Sequence, residues 1–320
     1  MSLAMQFERP GLPDCLQPVE MEIGPPGPGE IRIRQHAIGL NFIDIYHRTG
    51  LYPLPLPAVP GVEAAGIVEA IGDGVDDLAV GQRVVYACVP GAYAQTRLLP
   101  AWRAISLPDH ISFERAGANL LRGLTAHMLL TRVYPVAPGT IMLVHAAAGG
   151  LGSIVTRWAK RLGATVIGTV SAEEKVEAVL GHGADHVIVG RDADYATQVA
   201  ALTSGKGVHF AVDGIGGTTL GRTLACIRPF GLLASVGQAS GPPPPVSVDQ
   251  LRSIALARPS VMAYGSDPAA YRQAATDVLA VADEKLFGAP ETRYALADAA
   301  TAHTDLEAGR IIGHAVLIPG

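Results

Sequence analysis

The pattern of apolar and polar residues divides the chain near residue 123. Beyond that point, short runs of β-branched residues alternate with longer segments in which apolar residues recur every three or four positions. Strands that alternate with helices predict an α/β fold with a doubly wound parallel sheet. We predict its strands at residues 141–145, 165–170, 186–189, 208–212 and 231–236. We predict its helices at residues 123–133, 150–163, 172–182, 193–203 and 216–227.

Before residue 123 the pattern is different. Short stretches of alternating polar and apolar residues are separated by glycine and proline, as at residues 30–34, 66–72 and 83–86. Short strands with such turns predict a β-rich, barrel-like domain. The proline-rich residues 52–60 predict an irregular loop, because proline fixes φ and lacks an N–H donor.

The chain beyond the last of these helices contains three further segments. The sequence GPPPP at residues 241–245 predicts a rigid loop after the fifth strand, at the edge of the sheet where ligands bind in such folds. An amphipathic helix is predicted at residues 268–284 and a strand at residues 315–318. We expect this tail to return to the β-rich domain.

A glycine-rich segment, AAAGGLG at residues 146–152, joins the predicted strand 141–145 to the predicted helix 150–163. Glycines let the backbone turn tightly and approach a pyrophosphate, and the free N–H groups at the start of the helix stabilise the anion. A strand, a glycine-rich turn and a helix in this order favour a dinucleotide site over a simple turn. We expect the dinucleotide to contact Ala148, Gly149, Gly150, Leu151 and Gly152.

The end of the second strand indicates which dinucleotide binds. An NAD site carries a carboxylate about 20 residues beyond the glycines, but here strand 165–170 is followed by Ser171, with Lys175 one turn later. Because a hydroxyl and an ammonium group suit a 2′-phosphate, we predict NADPH rather than NADH as the cofactor. The alternative is that Ser171 only caps the helix, with Glu174 completing a capping box, and that Lys175 is solvated.

Composition and charge exclude several classes of function. The chain has 320 residues, of which 49% are hydrophobic and 17% charged, and this suits a two-domain enzyme with a buried sheet. The net charge of −5 argues against nucleic-acid binding. Because no apolar run approaches the roughly 18 residues of a membrane span, and the N-terminus lacks the apolar core of a signal peptide, we expect a cytoplasmic protein. The three cysteines are far apart and form no CxxC pair, which argues against disulfides and a cysteine-rich zinc site.

Several motifs resemble one family in their order along the chain. They are NFIDIY at 41–46, GLYP at 50–53, PGVEAAG at 60–66, HAAAGGLG at 145–152, GHGAD at 181–185, DGIGG at 213–217 and AATAH at 299–303. Together they resemble the NADPH:quinone oxidoreductases, which include the zeta-crystallins and form a zinc-free branch of the medium-chain dehydrogenase/reductase superfamily. Several motifs in one order are far more specific than any single motif.

The resemblance implies a two-domain architecture. A GroES-like catalytic domain is expected at residues 1–122 and 258–320, and a Rossmann domain that binds NADPH at residues 123–257, with a cleft between them. It also implies a homodimer joined through the edge of the Rossmann sheet. Thr125 and Gly214 join the expected cofactor contacts.

The resemblance also bears on zinc. In the zinc alcohol dehydrogenases, a cysteine ligand stands where this chain has Asn41, and a histidine ligand stands where it has Val62. An amide and a valine side chain are poor zinc ligands compared with a thiolate and an imidazole. Glu63 cannot hold zinc alone, so we predict no metal.

Without a metal, the chemistry has to suit hydride delivery alone, as it does for quinones and activated enones. These substrates place negative charge on an oxygen, and the site then needs donors directed at it. The resemblance makes Tyr46 and Tyr52 the candidate donors, with Asn41 placing substrate or nicotinamide. Both tyrosines have an alternative role in packing or as pocket walls. We expect His47 and Arg48 to be exposed helix residues.

One departure from the family concerns the loop after the third strand. The similar reductases often have a tyrosine there, near the adenosine phosphate, but this chain has Gly190 followed by Arg191. We therefore expect a weaker preference for NADPH. The function that we predict first is that of an NADPH-dependent quinone reductase. An enone or 2-enoyl reductase and a non-catalytic NADPH-binding protein are the alternatives.

Overall fold

The computed structural model describes residues 1–283 and 285–320. Its strands are β1 (Ser2–Gln6), β2 (Gln17–Met21), β3 (Glu30–Gly39), β4 (Glu63–Ile71), β5 (Arg83–Ala87), β6 (Thr96–Pro100), β7 (Ile105–Ser106), β8 (Ile141–Val144), β9 (Thr165–Val170), β10 (His186–Val189), β11 (Val208–Asp213), β12 (Ile227–Ser235), β13 (Ala255–Ala257), β14 (Thr292–Ala295) and β15 (Ala315–Ile318).

The α-helices of the described residues lie mostly between the strands of the second half. They are α1 (Phe42–Arg48), α2 (Phe113–His127), α3 (Gly150–Arg161), α4 (Val176–Gly181), α5 (Tyr195–Leu202), α6 (Thr219–Leu224), α7 (Val248–Leu251), α8 (Pro268–Val281) and α9 (Ala299–Glu307). None of these helices combines the length and the apolar character needed to cross a membrane.

The chain divides into two compact units. Unit 1 comprises residues 1–124 and 261–320, and unit 2 comprises residues 125–260. In unit 1, most of the strands form one sheet in the order β14-β15-β3-β4-β5-β7, and β6 also pairs with β3. The C-terminal strand β15 pairs with β3 in antiparallel register. The core of unit 1 lies mainly under β3, β4 and β5, where Ile31, Ile33, Val68 and Val84 are fully buried.

Unit 2 is a parallel sheet with the strand order β10-β9-β8-β11-β12-β13. The order reverses direction beside β8, which is the arrangement of a doubly wound fold. The predicted α/β fold with a parallel sheet is therefore confirmed. The central strands β8, β9 and β11 are mostly buried and rich in valine, isoleucine and leucine, since helices cover both faces of such sheets.

Several predicted helix boundaries were wrong. The helix expected at 123–133 begins ten residues earlier, as α2 at Phe113, and residues 128–133 continue it as a π-helix. The helix expected at 216–227 is only α6 (Thr219–Leu224), because Gly216 and Gly217 have φ values of 72° and 51° that no helix allows. The predicted end of the helix at residue 284 lies outside the described residues.

Two other segments differ from the expected pattern. Residues 172–182 form a 3₁₀ turn at Glu173–Lys175 and then the short α4. The strand expected at 231–236 begins at Ile227 and includes Pro229, and its pairing with β11 shifts register between Val208 and Phe210. Proline removes a ladder hydrogen bond, so it accompanies such irregularities.

Candidate functional site

The glycine-rich turn of unit 2 follows β8 and leads directly into α3. Ala146 has a φ of 50°, and its carbonyl accepts a hydrogen bond from the Gly149 N–H at 2.9 Å. A Cβ on Gly152 would lie 2.3 Å from the Ala146 oxygen, so the helix packs against the turn only because residue 152 is glycine. This close approach fixes the shape of the turn.

The first turn of α3 is suited to an anion. Gly149 is the N-cap, so this position has no side chain that could cap the first N–H groups of the helix. The helix has 12 residues and carries Lys160 and Arg161 in its last turn. The positive end of its dipole, at the N-terminus, therefore favours a phosphate.

The residues predicted to bind the cofactor in unit 2 follow the carboxyl ends of neighbouring strands. In the parallel register, Val144 of β8 lies opposite Gly168 of β9 and Val212 of β11. The segments after β8, β9 and β11, which contain Gly149, Ser171 and Gly214, therefore lie at the same edge of the sheet. Ligands bind at this edge in open α/β sheets.

Ser171 and Lys175 are brought together after β9. The Lys175 ammonium donates to the Ser171 hydroxyl at 3.3 Å. Ala172, not Ser171, is the N-cap of the turn that follows, and it makes no side-chain cap hydrogen bond. The alternative in which Ser171 caps this helix is therefore wrong. The hydroxyl and ammonium remain together as a pair suited to a phosphate.

The loop after β10 contains Gly190, whose φ is 109°. Its N–H donates to the Val170 carbonyl at 2.9 Å, and the Tyr195 hydroxyl lies 3.3 Å from the Gly190 oxygen and 3.2 Å from the Arg191 oxygen. Tyr195 is buried, so it stabilises this loop from within rather than replacing the tyrosine that the similar reductases often have there.

His145 is a buried core histidine. The Thr223 hydroxyl donates to the Thr219 carbonyl at 2.8 Å, so it accepts from Nε2 of His145, also at 2.8 Å. Nδ1 then accepts from the Thr169 hydroxyl at 3.0 Å. Burial lowers the pKa of His145 to about 4, and the ring joins three elements beneath the glycine-rich turn.

The loop after β11 is shaped by Asp213. One oxygen of its buried carboxylate accepts from the N–H groups of Ile215, at 2.8 Å, and Gly216, at 3.2 Å. Gly214 is half-buried between these residues, and a Cβ on Gly237 would lie 2.6 Å from its carbonyl oxygen. Thr125, the other predicted cofactor contact, is a half-buried residue at the start of unit 2.

In unit 1, Asn41 is the N-cap of α1 and is buried. Its backbone N–H donates to Oδ2 of Asp44 at 2.9 Å, and its side-chain nitrogen donates to Oε1 of Glu63 at 2.7 Å. The other carboxylate oxygen of Glu63 accepts from the backbone N–H of Leu121 at 2.6 Å. Main chain and side chain of Asn41 are thus both fixed.

Tyr46 and Tyr52 are neighbours at the other end of α1. Their ring centroids are 5.3 Å apart in an edge-to-face arrangement, and the Tyr52 N–H donates to the Tyr46 carbonyl at 3.0 Å. Tyr46 is half-buried and Tyr52 is 37% exposed. Two aromatic rings with polar ends, on a surface that water reaches, suit the wall of a ligand site.

Comparison with known proteins gives full-length matches. Residues 27–109 match the family model for the alcohol dehydrogenase GroES-like domain, and residues 150–280 match the model for zinc-binding dehydrogenases. A quinone oxidoreductase from Pseudomonas aeruginosa is 42% identical over 100% of both chains. Quinone oxidoreductase 1 from Escherichia coli is 39% identical over the full length of both chains.

The chain belongs to the quinone oxidoreductase family. Among solved structures, the Escherichia coli quinone oxidoreductase complexed with NADPH has a TM-score of 0.95 and 39% identity, and the match covers 99% of this chain and 100% of that one. The predicted family, the GroES-like fold of unit 1 and the Rossmann-type fold of unit 2 are therefore confirmed.

The zinc site of the wider superfamily does not fit this quinone oxidoreductase chain. Val62 is fully buried and has no atom that could bind a metal, and Asn41 supplies an amide, whose nitrogen donates to Glu63, rather than a thiolate. Both oxygens of Glu63 already accept hydrogen bonds. Within residues 1–283 and 285–320, no group of three or more His, Cys, Asp or Glu side chains is arranged to hold a metal ion.

The expectation that His47 and Arg48 are exposed was wrong. Both are buried, and burial lowers the pKa of the His47 ring to about 4. Nη2 of Arg48 donates to Oε1 of Glu307 at 2.6 Å, which joins α1 to α9. The partner of Arg48 lies 259 residues later in the chain, so the sequence around α1 did not indicate it.

Sequence reasoning also missed a buried group that supports α1. The Tyr93 hydroxyl donates to Oδ2 of Asp44 at 3.0 Å and lies 2.9 Å from Nε2 of His303. Burial raises the pKa of Asp44 to about 8 and lowers that of His303 to about 3. The motifs that contain Asp44 and His303 were visible in the sequence, but nothing there indicated that Tyr93 connects them.

Proposed function

We propose that this chain is a quinone oxidoreductase that delivers hydride from NADPH to a quinone without a metal ion. The observation that carries the proposal is the full-length match, at about 40% identity, to quinone oxidoreductases. Residues 1–122 with 258–320 are proposed to form the catalytic domain, and residues 123–257 the cofactor domain.

The cofactor residues follow from the edge of the sheet in unit 2. The turn and first helical N–H groups of Ala148, Gly149, Gly150, Leu151 and Gly152 would hold the pyrophosphate. Ser171 and Lys175 would hold the 2′-phosphate, because a hydroxyl and an ammonium form charge-assisted hydrogen bonds with its oxygens. Thr125 and Gly214 complete the proposed contacts. When bound, NADPH supplies the hydride.

The substrate residues lie in unit 1. A quinone that accepts hydride develops negative charge on an oxygen, and the hydroxyls of Tyr46 and Tyr52 are proposed to donate hydrogen bonds to it. Their edge-to-face packing limits the rotation of both rings, so the two hydroxyls are held in place before the substrate binds. Asn41 is proposed to position the reactants through its side-chain amide.

Metal independence is proposed on the chemistry of the donors. A catalytic zinc site needs about three protein ligands of the thiolate, imidazole or carboxylate type. Where the zinc alcohol dehydrogenases have a cysteine and a histidine ligand, this chain has Asn41 and Val62. The neighbouring Glu63 already accepts hydrogen bonds from two donors. Stabilisation of the oxyanion is therefore assigned to hydroxyl donors.

A second candidate is reduction of an activated enone. A 2-haloacrylate reductase from Burkholderia is 40% identical over 100% of this chain and 99% of that protein. Haloacrylates and quinones both accept hydride at an electron-poor carbon and place charge on oxygen. The same hydrogen-bond donors would serve either substrate, so the two functions are distinguished only by the activity measured with each substrate.

A homodimer and a cytoplasmic location complete the proposal. β13 is the edge strand of the sheet in unit 2, and Phe230 beside it is 91% exposed, its N–H donating to the Ser253 carbonyl at 2.7 Å. An unpaired edge with an exposed aromatic favours pairing with a second copy. The three free cysteines suit a reducing compartment. Sedimentation velocity should show a dimer, and a monomer at micromolar concentration would contradict the proposed homodimer.

Steady-state oxidation of NADPH and NADH against a panel of quinones and enones, including 2-haloacrylates, tests the function. We expect turnover with quinones, with NADPH preferred, and no change on adding a chelator. Turnover confined to enones would move the assignment to enone reduction. If the protein binds NADPH but reduces no substrate of the panel, both proposed functions are contradicted.

A further inference from the structure

The amide of Asn41 is held by a carboxylate that the proposed mechanism has not used. Glu63 is fully buried at the start of β4, and its Oε1 accepts from Nδ2 of Asn41 at 2.7 Å. Its Oε2 accepts from the backbone N–H of Leu121, in α2, at 2.6 Å. One carboxylate therefore joins the cap residue of α1 to the backbone of α2.

The place occupied by this carboxylate is built into the backbone. A Cβ on Gly39, the last residue of β3, would lie 2.3 Å from Oε1 of Glu63 and 2.3 Å from the Gly117 carbonyl. Only glycine at position 39 leaves room for the carboxylate between the strand and the helix. The contact between Glu63 and Asn41 is thus specified by the fold rather than made by a mobile surface side chain.

An asparagine amide can present either its nitrogen or its oxygen, because the two ends have nearly the same shape. An ionised carboxylate only accepts hydrogen bonds, so it requires the nitrogen of Asn41 to face it. The oxygen, Oδ1, then turns away from Glu63 towards the backbone N–H of Asp44, with which Asn41 forms a capping box, and its second lone pair is the acceptor left for a ligand. Burial raises the pKa of the Glu63 carboxyl to about 7, and the nearby guanidinium of Arg122 counteracts this because it favours the ionised form.

We propose that Glu63 is a positioning residue, which fixes the amide of Asn41 so that Oδ1 is the acceptor offered to the reactants. The proposal rests on the proposed function in one respect, namely that Asn41 contacts substrate or nicotinamide. It adds a requirement: the group bound by Asn41 has to present an N–H or O–H donor, as a carboxamide or a hydroxyl does.

The variant Glu63→Gln tests this orientation. The backbone N–H of Leu121 can only donate, whereas the Asn41 amide can reverse, so the oxygen of the new amide faces Leu121 and its NH₂ group faces Asn41. Two donors then meet, and Asn41 relieves the conflict by turning its own oxygen inward. In mildly alkaline buffer we expect kcat to fall on the order of 10- to 100-fold, with a smaller change in the KM for NADPH.

The matched rescue exchanges the two functional groups. In Glu63→Gln with Asn41→Asp, the aspartate has two acceptor oxygens, so one accepts from the glutamine and the other points outward. The pair keeps its single negative charge. We expect kcat to recover to about a third of wild type or more. A purely structural loss at both positions would instead accumulate, so a double variant no faster than Glu63→Gln overturns the proposal.

Two further measurements keep the test decisive. Glu69→Gln makes the same change on the same strand, where Glu69 pairs with Arg34 at 3.2 Å, and it should leave kcat unchanged. Thermal unfolding identifies variants that fail to fold. In wild type, NMR should show slow hydrogen exchange of the Asn41 side-chain amide, which Glu63→Gln abolishes; fast exchange in wild type overturns the proposal. This last result does not depend on turnover, so it separates the proposal from a failure of the quinone assignment.

Discussion

Tyr46 and Tyr52 pack edge to face, with ring centroids 5.3 Å apart. This contact joins the last part of α1 to the proline-rich loop that follows it, and a backbone hydrogen bond between the same two residues closes the turn. Because the rings support each other, the positions of the two hydroxyls depend on both side chains. The pair is therefore the natural unit for mutation.

Removing both hydroxyls should slow quinone reduction. In Tyr46→Phe with Tyr52→Phe the ring packing is kept, so we expect an unchanged melting temperature and a kcat lower by on the order of 10- to 100-fold. Tyr294→Phe, which removes a hydroxyl bonded to Asp305 at 2.7 Å in the same unit, is the control. If the double variant has wild-type kcat, solvent rather than tyrosine stabilises the oxyanion.

Lys175→Ala should weaken the binding of NADPH far more than that of NADH. The ammonium beside Ser171 is proposed to contact the 2′-phosphate, which NADH lacks, so we expect the KM for NADPH to rise about tenfold or more. The KM for NADH should change little. Lys206→Ala, an exposed lysine in the same unit, controls for net charge. Equal changes for both cofactors would remove Lys175 from the phosphate site.

Gly152→Ala should disrupt the glycine-rich turn. The added Cβ would lie 2.3 Å from the Ala146 carbonyl oxygen, so α3 has to move away from the turn. We expect a loss of about 1–3 kcal/mol in unfolding free energy and weaker NADPH binding. Gly221→Ala, in α6 with no heavy atom within 4 Å of the new Cβ, should instead stabilise by up to ~1 kcal/mol. Tight NADPH binding by Gly152→Ala would show that the turn does not hold the cofactor.

The buried carboxyl of Asp44 should make stability depend on pH. Burial raises its pKa from 3.8 to about 8, so between these values the folded protein keeps a proton that the unfolded chain releases. The contribution of Asp44 to stability is therefore present in acid and is lost as the pH rises towards 8. Asp44→Asn keeps an acceptor for Asn41 and Tyr93 but does not titrate. Urea unfolding from pH 5 to about 8 should give a flatter profile for the variant; parallel profiles would contradict this account.

The sheet of unit 2 was largely predictable because its signals are local. The strands at 165–170 and 186–189 were predicted with the bounds that the structure has, since β-branched runs there are bounded by glycine and polar residues. The turn at 146–152 was predictable for the same reason. The early start of α2 was missed, although Ser112, whose hydroxyl accepts from the Arg115 N–H at 3.2 Å, is a capping signal in the sequence.

The supporting groups of unit 1 were not predictable because their partners are distant in sequence. Arg48 meets Glu307, and Tyr93 meets His303 210 residues later. A polar residue on a short helix indicates solvent until the segment that covers it is known. The link from Glu63 to Asn41 also depends on the glycine at position 39, whose role is visible only in three dimensions.

Single-turnover oxidation of NADPH by chelator-treated enzyme tests the central claim most directly. NADPH carrying deuterium at either of its two transferable positions is mixed with enzyme and a quinone, and the loss of nicotinamide absorbance is followed. We predict rapid oxidation that is slower with one of the two deuterated forms, because hydride transfer from one face of the nicotinamide is the chemical step. Oxidation that requires added metal, or no oxidation at all, would contradict metal-independent hydride transfer to a quinone.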